Sequence, residues 1–319
     1  MAKRELGPAA LKVAQAVAAL LPEGEAIVGV SGGADSLALA MGAKWAADRS
    51  GTTLTCIVVD HRLQEGSGDV AGRTVAVLQD RGLSAQVVGV DVEQDPADGI
   101  EAAARRARLG ALAASGLPVL LGHTLDDQAE SVLLGLLRGS GTRSLAGMAP
   151  VRMPFIRPLL GVRRQTTVEA CRDWRLEWWD DPHNVDERFA RVRARQHLEE
   201  LTQRLGRDVA PALARTAELS RMDADLLEEL AEREVAGQDL TSPLEISRVC
   251  ALPPALRLRV LRLWLESSGM ASHTMEHVLA VDALMTDWRG QGPVHLPGGV
   301  VARERGNLVA GRPHHDGLG

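Results

Sequence analysis

The chain has 319 residues, 45% of them apolar and 24% charged, and carries a net charge of −6. That size allows one large domain and one small one with a substantial core, and no apolar run approaches the length of a membrane span. The cysteines, Cys56, Cys171 and Cys250, are widely spaced and form no C-x-x-C pair. This usage argues against a zinc ribbon or a paired-sulfur relay and points to a reducing compartment, the cytoplasm.

Charge is unevenly spread. Residues 1–137 balance at −6, residues 138–207 at +5 and residues 208–319 at −5. Every cation of the middle segment is arginine. Biased composition explains part of this, because lysine occurs only at Lys3, Lys12 and Lys44. A local phosphate-binding surface is the other reading, and such a surface need not show in the total charge.

In chain order, the N-terminal stretch carries Lys12 and Gln15 within its Ala-rich run, so it reads as an amphipathic helix and not a signal peptide. Ala26 to Val30 is a short apolar run of the buried parallel-strand type. Ser31-Gly32-Gly33-Ala34-Asp35-Ser36 follows, then an Ala/Leu-rich helical pattern from Leu37 to Trp45. Strand, glycine turn and helix together aim backbone N–H groups at an anion. Gly32 and Gly33 tolerate positive φ and leave room for a phosphate. Ser31 and Ser36 add hydroxyls, and Asp35 is placed to hold a magnesium ion. The loop lacks the lysine of a Walker motif. Gly29 to Gly33 also fits G-x-S-x-G, the hydrolase nucleophile elbow, but only one helical segment precedes it and no oxyanion-type glycine run does.

Strands are expected at Leu54–Val59, Ala85–Val90 and Pro118–Leu121, and helices at about Asp69–Arg81 and Ile100–Ala114. The G-x-G-x-x-A resemblance at Gly66–Ala71 reads as a surface turn. This alternation predicts an α/β fold, a mainly parallel sheet with helices on both faces. Ligands of such sheets sit beyond the carboxyl ends of strands, where the glycine loop falls. The last of these strands leads into Gly122-His123-Thr124-Leu125-Asp126-Asp127-Gln128-Ala129-Glu130. Thr124 reads as an N-cap with Asp127 as its capping-box partner. Helix capping alone accounts for Asp126 or Asp127, and accounts less well for His123 and Glu130. Together they suit a magnesium ion or an amine-bearing substrate.

Arg138 and Arg143 flank a Gly-Ser-Gly turn. A helical segment is expected at Arg163–Trp174, a turn at Asp181-Pro182-His183-Asn184, and a helix over Val185–Leu205 with Arg188, Arg191 and Arg195 on one face. A solvated charged stripe is the default reading of that face. Residues 208–236 read as one long connecting helix and Gly237–Pro243 as a linker. Amphipathic helices at Pro253–Leu265 and Thr274–Met285, a strand–turn–strand at Val294–Ala302 and a disordered tail from Arg312 complete a small α+β domain. The expected division is 1–207, 208–242 and 243–319.

The six residues SGGADS resemble the PP-loop of the N-type ATP pyrophosphatases. SGGADS, VVDHRL at Val58–Leu63, GHTLDDQAESVLLGLLRGSGTRSLAGM at Gly122–Met148, RPLL at Arg157–Leu160 and DPHNVDERFAR at Asp181–Arg191 occur in that order. In combination they resemble the tRNA(Ile)-lysidine synthetase family, nearly continuously over residues 26–225. The chain departs from the family pattern at Arg191-Val192-Arg193-Ala194-Arg195, at Leu109 and at Ser144. The resemblance implies an adenine-nucleotide α-hydrolase-like PP-loop fold and, with no third domain expected, a short form of the family. It implies ATP and Mg2+ as cofactors, and it allows a homodimer. It implies that lysine is joined to C2 of the wobble cytidine in the CAU anticodon of an isoleucine tRNA, after ATP adenylates that cytidine. By the same resemblance, Ser31, Gly32, Gly33, Ala34, Asp35 and Ser36 cradle ATP and Asp35 holds the metal. His123, Asp127 and Glu130 receive free L-lysine, and Arg138, Arg143, Arg191 and Arg195 contact tRNA. The rivals are a sister tRNA thiolase, which would be expected to use paired cysteines; an amidotransferase-type ligase, which needs a glutaminase; and a non-catalytic RNA- or nucleotide-binding module.

Overall fold

The structure, a computed structural model, describes residues 6–62, 66–91, 100–139, 141–180 and 186–311. The expected turn at Asp181–Asn184, Leu63 of VVDHRL, Ser140 of the Gly-Ser-Gly turn and the tail from Arg312 lie outside them. The chain divides into two compact units, Met1–Glu218 and Leu219–Gly319.

The first unit begins with α1 (Pro8–Ala18), β1 (Glu25–Val30), α2 (Ala34–Ser50), β2 (Thr53–Asp60), α3 (Ser67–Asp80), β3 (Ser84–Gly89), α4 (Ile100–Ala113) and β4 (Val119–Leu121). It continues through α5 (Leu125–Arg138), α6 (Thr142–Leu145), β5 (Val151–Arg152), β6 (Phe155–Ile156), α7 (Arg164–Asp173), α8 (Ala190–Leu205) and α9 (Ala210–Val235), within which the division falls. Six strands form one sheet in the order β3-β2-β1-β4-β6-β5, parallel except for the edge strand β5. Alternation along β1 explains the layering. Ala26, Val28 and Val30 face a core shared with α1 and α2, while Ile27 joins Ile57, Val119, Leu121 and Leu112 of α4 on the other face.

Two close approaches fix the helices that carry the site. Gly42 lets α2 pack tightly on α1, since a Cβ there would lie 3.1 Å from Val13 and Val17. The Asp173 carboxylate at the end of α7 accepts from the Ala10 N–H (3.1 Å), satisfying a donor in the first turn of α1 from 163 residues away. The chain leaves β1 toward β2 and β3 and returns on the opposite side as β4. The gap between β1 and β4 is therefore a topological switch point, where open α/β sheets bind ligands.

The helix expected from Val185 begins only at Ala190. Arg188 precedes it, with its guanidinium folded onto Asp186 (2.6 Å), so no stripe of Arg188, Arg191 and Arg195 forms. Phe189 stands at the N-cap.

The second unit holds β7 (Leu244–Glu245), α10 (Ile246–Cys250), α11 (Pro254–Ser267), α12 (Met275–Thr286), β8 (Val294–Leu296), β9 (Gly299–Glu304) and β10 (Asn307–Gly311). Its strands form an antiparallel sheet, β7-β10-β9-β8, larger than the expected strand–turn–strand. The core gathers Trp264, Leu261, Leu265, Val281, Leu284, Val301 and Leu308.

Candidate active site

Each parallel strand of the central sheet except β3 delivers a chemically distinctive residue at its carboxyl end: Ser31 after β1, His61 after β2, His123 after β4 and Arg157 after β6. Gly122 brings β4 against the loop, because a Cβ there would sit 3.1 Å from the Asp35 carbonyl oxygen.

The glycine loop is held open by its own hydrogen bonds. Ser36 Oγ accepts from the Ser31 N–H (3.1 Å) and donates to the Gly33 carbonyl (2.9 Å). The Ser31 hydroxyl donates to Ser36 Oγ (3.3 Å), not to a histidine, so the nucleophile-elbow resemblance has no base behind it. Gly32 has φ 86°, and a side chain there would strike Thr74 Oγ1 at 2.7 Å. Gly33 is the N-cap of α2 and supplies no side-chain cap. The first N–H groups of α2 thus face the loop, as anion binding requires. Trp179, from the segment after α7, donates its backbone N–H to the Gly32 carbonyl (3.1 Å).

An acidic cluster lies beside this loop. Asp127 completes the capping box, its Oδ2 accepting from the Thr124 N–H and hydroxyl at 2.7 Å each. Asp126 caps a different helix: its Oδ2 accepts from the Arg164 N–H at the start of α7 (2.7 Å), and its Oδ1 pairs with Arg163 (3.1 Å). The Arg164 guanidinium then reaches three carboxylates at once. Its Nε lies 3.2 Å from Asp35, its Nη2 2.6 Å from Asp127 and its Nη1 3.4 Å from Glu130. Thr167, fully buried, adds its hydroxyl to Asp35 Oδ1. Glu130 is 1% exposed. Its Oε1 pairs with Arg195 at 2.8 Å, and its buried Oε2 has no hydrogen-bond partner among the described residues.

Arg195, expected as a tRNA contact, places its Nε on Glu130 within the cluster. Spacing alone could not reveal this, because Glu130 and Arg195 are 65 positions apart. Arg138 is exposed at the end of α5, and Arg143 is half-buried in α6. The segment from α6 to Met148 is held against α5. Gln128 exchanges two hydrogen bonds with the Met148 backbone (2.8 and 3.0 Å), and Gly135 lies so close to α6 that a Cβ would meet the Ser144 carbonyl at 2.5 Å.

On the other side of His123 the surroundings are basic. Burial, together with Arg105, Arg157 and Arg191, pulls the His123 pKa down to about 3 despite Asp127. Burial and Arg108 lower that of His61 as well. Both imidazoles are neutral at pH 7, and both keep a buried Nδ1 with no partner among the described residues. The carboxyls diverge. Burial raises the pKa of Asp35 against the pull of Arg164 and Thr167, and burial with Asp127 raises that of Glu130. For Asp127, Arg164 and the Thr124 N–H outweigh burial, and the pKa falls. Four carboxylates hold Arg164 charged against its own burial.

Arg164, Thr167 and Arg157 were not among the site residues expected from sequence. The available signal was the Arg163-Arg164 pair at the start of a helix that follows RPLL. Among the described residues no three His, Cys, Asp or Glu side chains converge to hold a metal by themselves. Asp35, in the first turn of α2 beside the glycine loop, is a single carboxylate, which would suit a magnesium ion that takes its other ligands from phosphate and water. The three cysteines are unpaired. Cys171 lies near Asp35 with its thiol on the Ala34 carbonyl (3.3 Å), its pKa pushed up to about 12 chiefly by burial, so it is no sulfur nucleophile.

Residues 8–202 match the PP-loop domain family, and residues 244–309 match the TilS substrate binding domain. A tRNA(Ile)-lysidine synthase of Cutibacterium acnes is 46% identical over 316 residues, covering 98% of this chain and 99% of its own length. The tRNA(Ile)-lysidine synthase of Leifsonia xyli is 48% identical, with 92% of each chain covered. Among solved structures, a U34-tRNA thiolase of Methanococcus maripaludis superposes with a TM-score of 0.54 at 18% identity, covering 67% of this chain and 80% of its own, a likeness of fold alone. The glycine loop, the acidic helix start and the near-complete coverage agree: the chain belongs to the tRNA(Ile)-lysidine synthase family.

Proposed function

We propose that this chain is an ATP-dependent carbon–nitrogen ligase that joins the side-chain amine of free L-lysine to C2 of the wobble cytidine in a CAU-anticodon isoleucine tRNA. The observation that carries the reading is Glu130, a buried acid of α5 with one oxygen that has no partner among the described residues, which shares Arg164 with Asp35 of the phosphate-type loop at the switch point of the sheet.

The residues divide the work as follows. The amides of the Gly32-Gly33 turn, with Ser31, Ala34 and Ser36, cradle the phosphates and stabilise charge as pyrophosphate leaves the ATP α-phosphorus, which O2 of the cytidine attacks. Asp35 would hold Mg2+, and the ion, when bound, would supply neutralisation of phosphate charge. The lysine amine then attacks the adenylated C2, losing a proton, and AMP departs. An amine with an unperturbed pKa of about 10.4 must give up that proton inside the site. Glu130 suits the acceptor role better than Asp127, whose oxygens are taken by Thr124 and Arg164. It also suits it better than His123, whose depressed pKa makes it a weak base. His123 is a neutral hydrogen-bonding partner for substrate. Arg191, close enough to His123 and Arg108 to lower their pKa values, joins Arg138 and Arg143 as a tRNA phosphate contact.

Residues 243–319 are a tRNA-binding module, residues 1–207 the catalytic domain, and residues 208–242 the connection between them. The substrates and the unpaired cysteines support a cytoplasmic location, and a homodimer is compatible with this reading. No described helix is long and apolar enough to cross a membrane.

One incubation tests the whole: labelled lysine, Mg·ATP and unmodified isoleucine tRNA transcript. Label retained in RNA, with one AMP released per lysine joined, is the expected result. Label absent while ATP is still split would sink the assignment of lysine.

A further inference from the structure

We infer that Arg164 is a positioning residue whose guanidinium, in the free enzyme, stands where a substrate cation must enter. Three carboxylates from two helices, Asp35 on α2 and Asp127 and Glu130 on α5, meet on this one side chain from a third helix, α7. Each of the three has a contact elsewhere: Asp35 with Thr167, Asp127 with Thr124 and Glu130 with Arg195. Those contacts hold the carboxylates in place if the guanidinium moves. Arg164 is thus the shared contact of a cluster that is otherwise anchored. It is also anchored itself, since its backbone N–H is fixed on Asp126 (2.7 Å) and the long side chain alone has to swing.

The charges facing the guanidinium are Asp35, Asp126, Asp127 and Glu130, with Arg163 and Arg195 at the borders. A second cation entering between Asp127 and Glu130 repels Arg164 unless it leaves. Glu130 Oε2, which has no partner among the described residues, marks an acceptor that the guanidinium, bound through Oε1, does not use. Arg164 also touches both halves of the site, the metal-side Asp35 and the amine-side Glu130, so its departure is felt by both. The inference rests on the proposed function only in naming the lysine ammonium as the natural occupant; any compact cation shares the chemistry.

The test uses the full chain and Mn2+ alone as the probe, without ATP, lysine or tRNA, and follows binding by calorimetry at pH 8. Arg164→Gln should bind Mn2+ about tenfold more tightly than the wild type, since a competing charge has gone. Arg164→Lys, whose single ammonium cannot span three carboxylates, should fall about threefold tighter. Arg172→Gln, on the exposed side of α7, should match the wild type. Where Arg164→Gln fails to fold, Arg164→Lys decides alone. Unchanged or weaker Mn2+ binding in a folded variant overturns the inference. In the lysine-transfer assay, Arg164→Gln should lower KM for lysine and lower kcat together, and Arg164→Lys should keep more of kcat. A KM that rises as kcat falls would make Arg164 a mere support of the fold. Because the Mn2+ arm needs no substrate, a wild-type protein that transfers no lysine would defeat the proposed function and leave this result standing by itself.

Discussion

Two meetings of arginine and carboxylate in low-solvent surroundings are built differently. In the C-terminal unit Arg257 and Asp282 form a closed pair, Nε to Oδ1 at 2.7 Å and Nη2 to Oδ2 at 3.2 Å, each side chain 13% exposed. A further N–H goes to the Leu252 carbonyl (3.3 Å). Fork meets fork, charges cancel one to one, and the pair ties α11 to α12. At the sheet switch point, Asp35, Asp126, Asp127 and Glu130 face Arg163, Arg164 and Arg195, with negative charge in excess. One carboxylate oxygen has no partner among the described residues, and the carboxyl pKa values are pushed apart, Asp35 and Glu130 up and Asp127 down. A pair that serves packing closes on itself, whereas the cluster proposed to receive a cation keeps its charges and acceptors incompletely matched.

The largest expected effect comes from breaking the open cluster where it meets the loop. Asp35→Asn should lower tRNA adenylation by at least about 10³-fold while tRNA binding in a filter assay stays intact; loss of both together would make Asp35 a folding residue. Glu130→Gln should raise the lysine KM by about 10- to 100-fold and leave the ATP KM within about twofold, the charged hydrogen bond to the ammonium being lost. If ATP suffers instead, the amine has been assigned to the wrong end of the site.

The closed pair should respond in stability and not in turnover. Arg257→Ala should cost about 3 kcal/mol in urea unfolding of the C-terminal unit, and replacing both partners, Arg257→Met with Asp282→Leu, should recover most of it. No apolar replacement of the open cluster should restore activity. At the border between them in kind, Arg191→Ala should reduce the slope of log K for tRNA against log salt by about 1, whereas Arg195→Ala should leave the slope alone and raise the lysine KM. A changed slope for Arg195→Ala would return it to the RNA surface.

The smallest effect is a pH dependence. His123 titrates near 6.5 in the unfolded chain and at about 3 in the folded one, so below about pH 6.5 the unfolded state binds the extra proton. Stability is fully present above that value and is lost as pH falls toward 3. His123→Gln should therefore lose less of its thermal midpoint than the wild type between pH 7.5 and pH 5. An identical loss would mean that His123 is accessible and charged at pH 5.

Much of the architecture was legible because its causes are local. Alternating apolar runs and 3.6-residue periods marked every long strand and helix of the sheet domain, and Thr124 with Asp127 announced the start of α5 before any packing was known. Short elements escaped, since β5, β6 and β7 have two residues each and carry no period. The helix expected from Val185 failed at its start for a related reason. Apolar spacing continues upstream of Ala190, but Arg188 there binds Asp186 two positions back, a turn contact that periodicity does not register.

The site was legible in part. SGGADS and His123 to Glu130 could be read because loop and helix N-terminus create their chemistry within a few residues of chain. Which of those acids is satisfied, and by whom, is a matter of partners 34 to 132 positions away: Arg164 for Glu130 and Asp127, Arg195 for Glu130, Thr167 for Asp35. Local sequence specifies a phosphate cradle and an acidic helix start, because backbone amides and capping need only neighbours. Only the tertiary structure distinguishes the acid that caps a helix from the acid with an oxygen to spare, because burial and long-range ion pairing depend on how α2, α5, α7 and α8 pack.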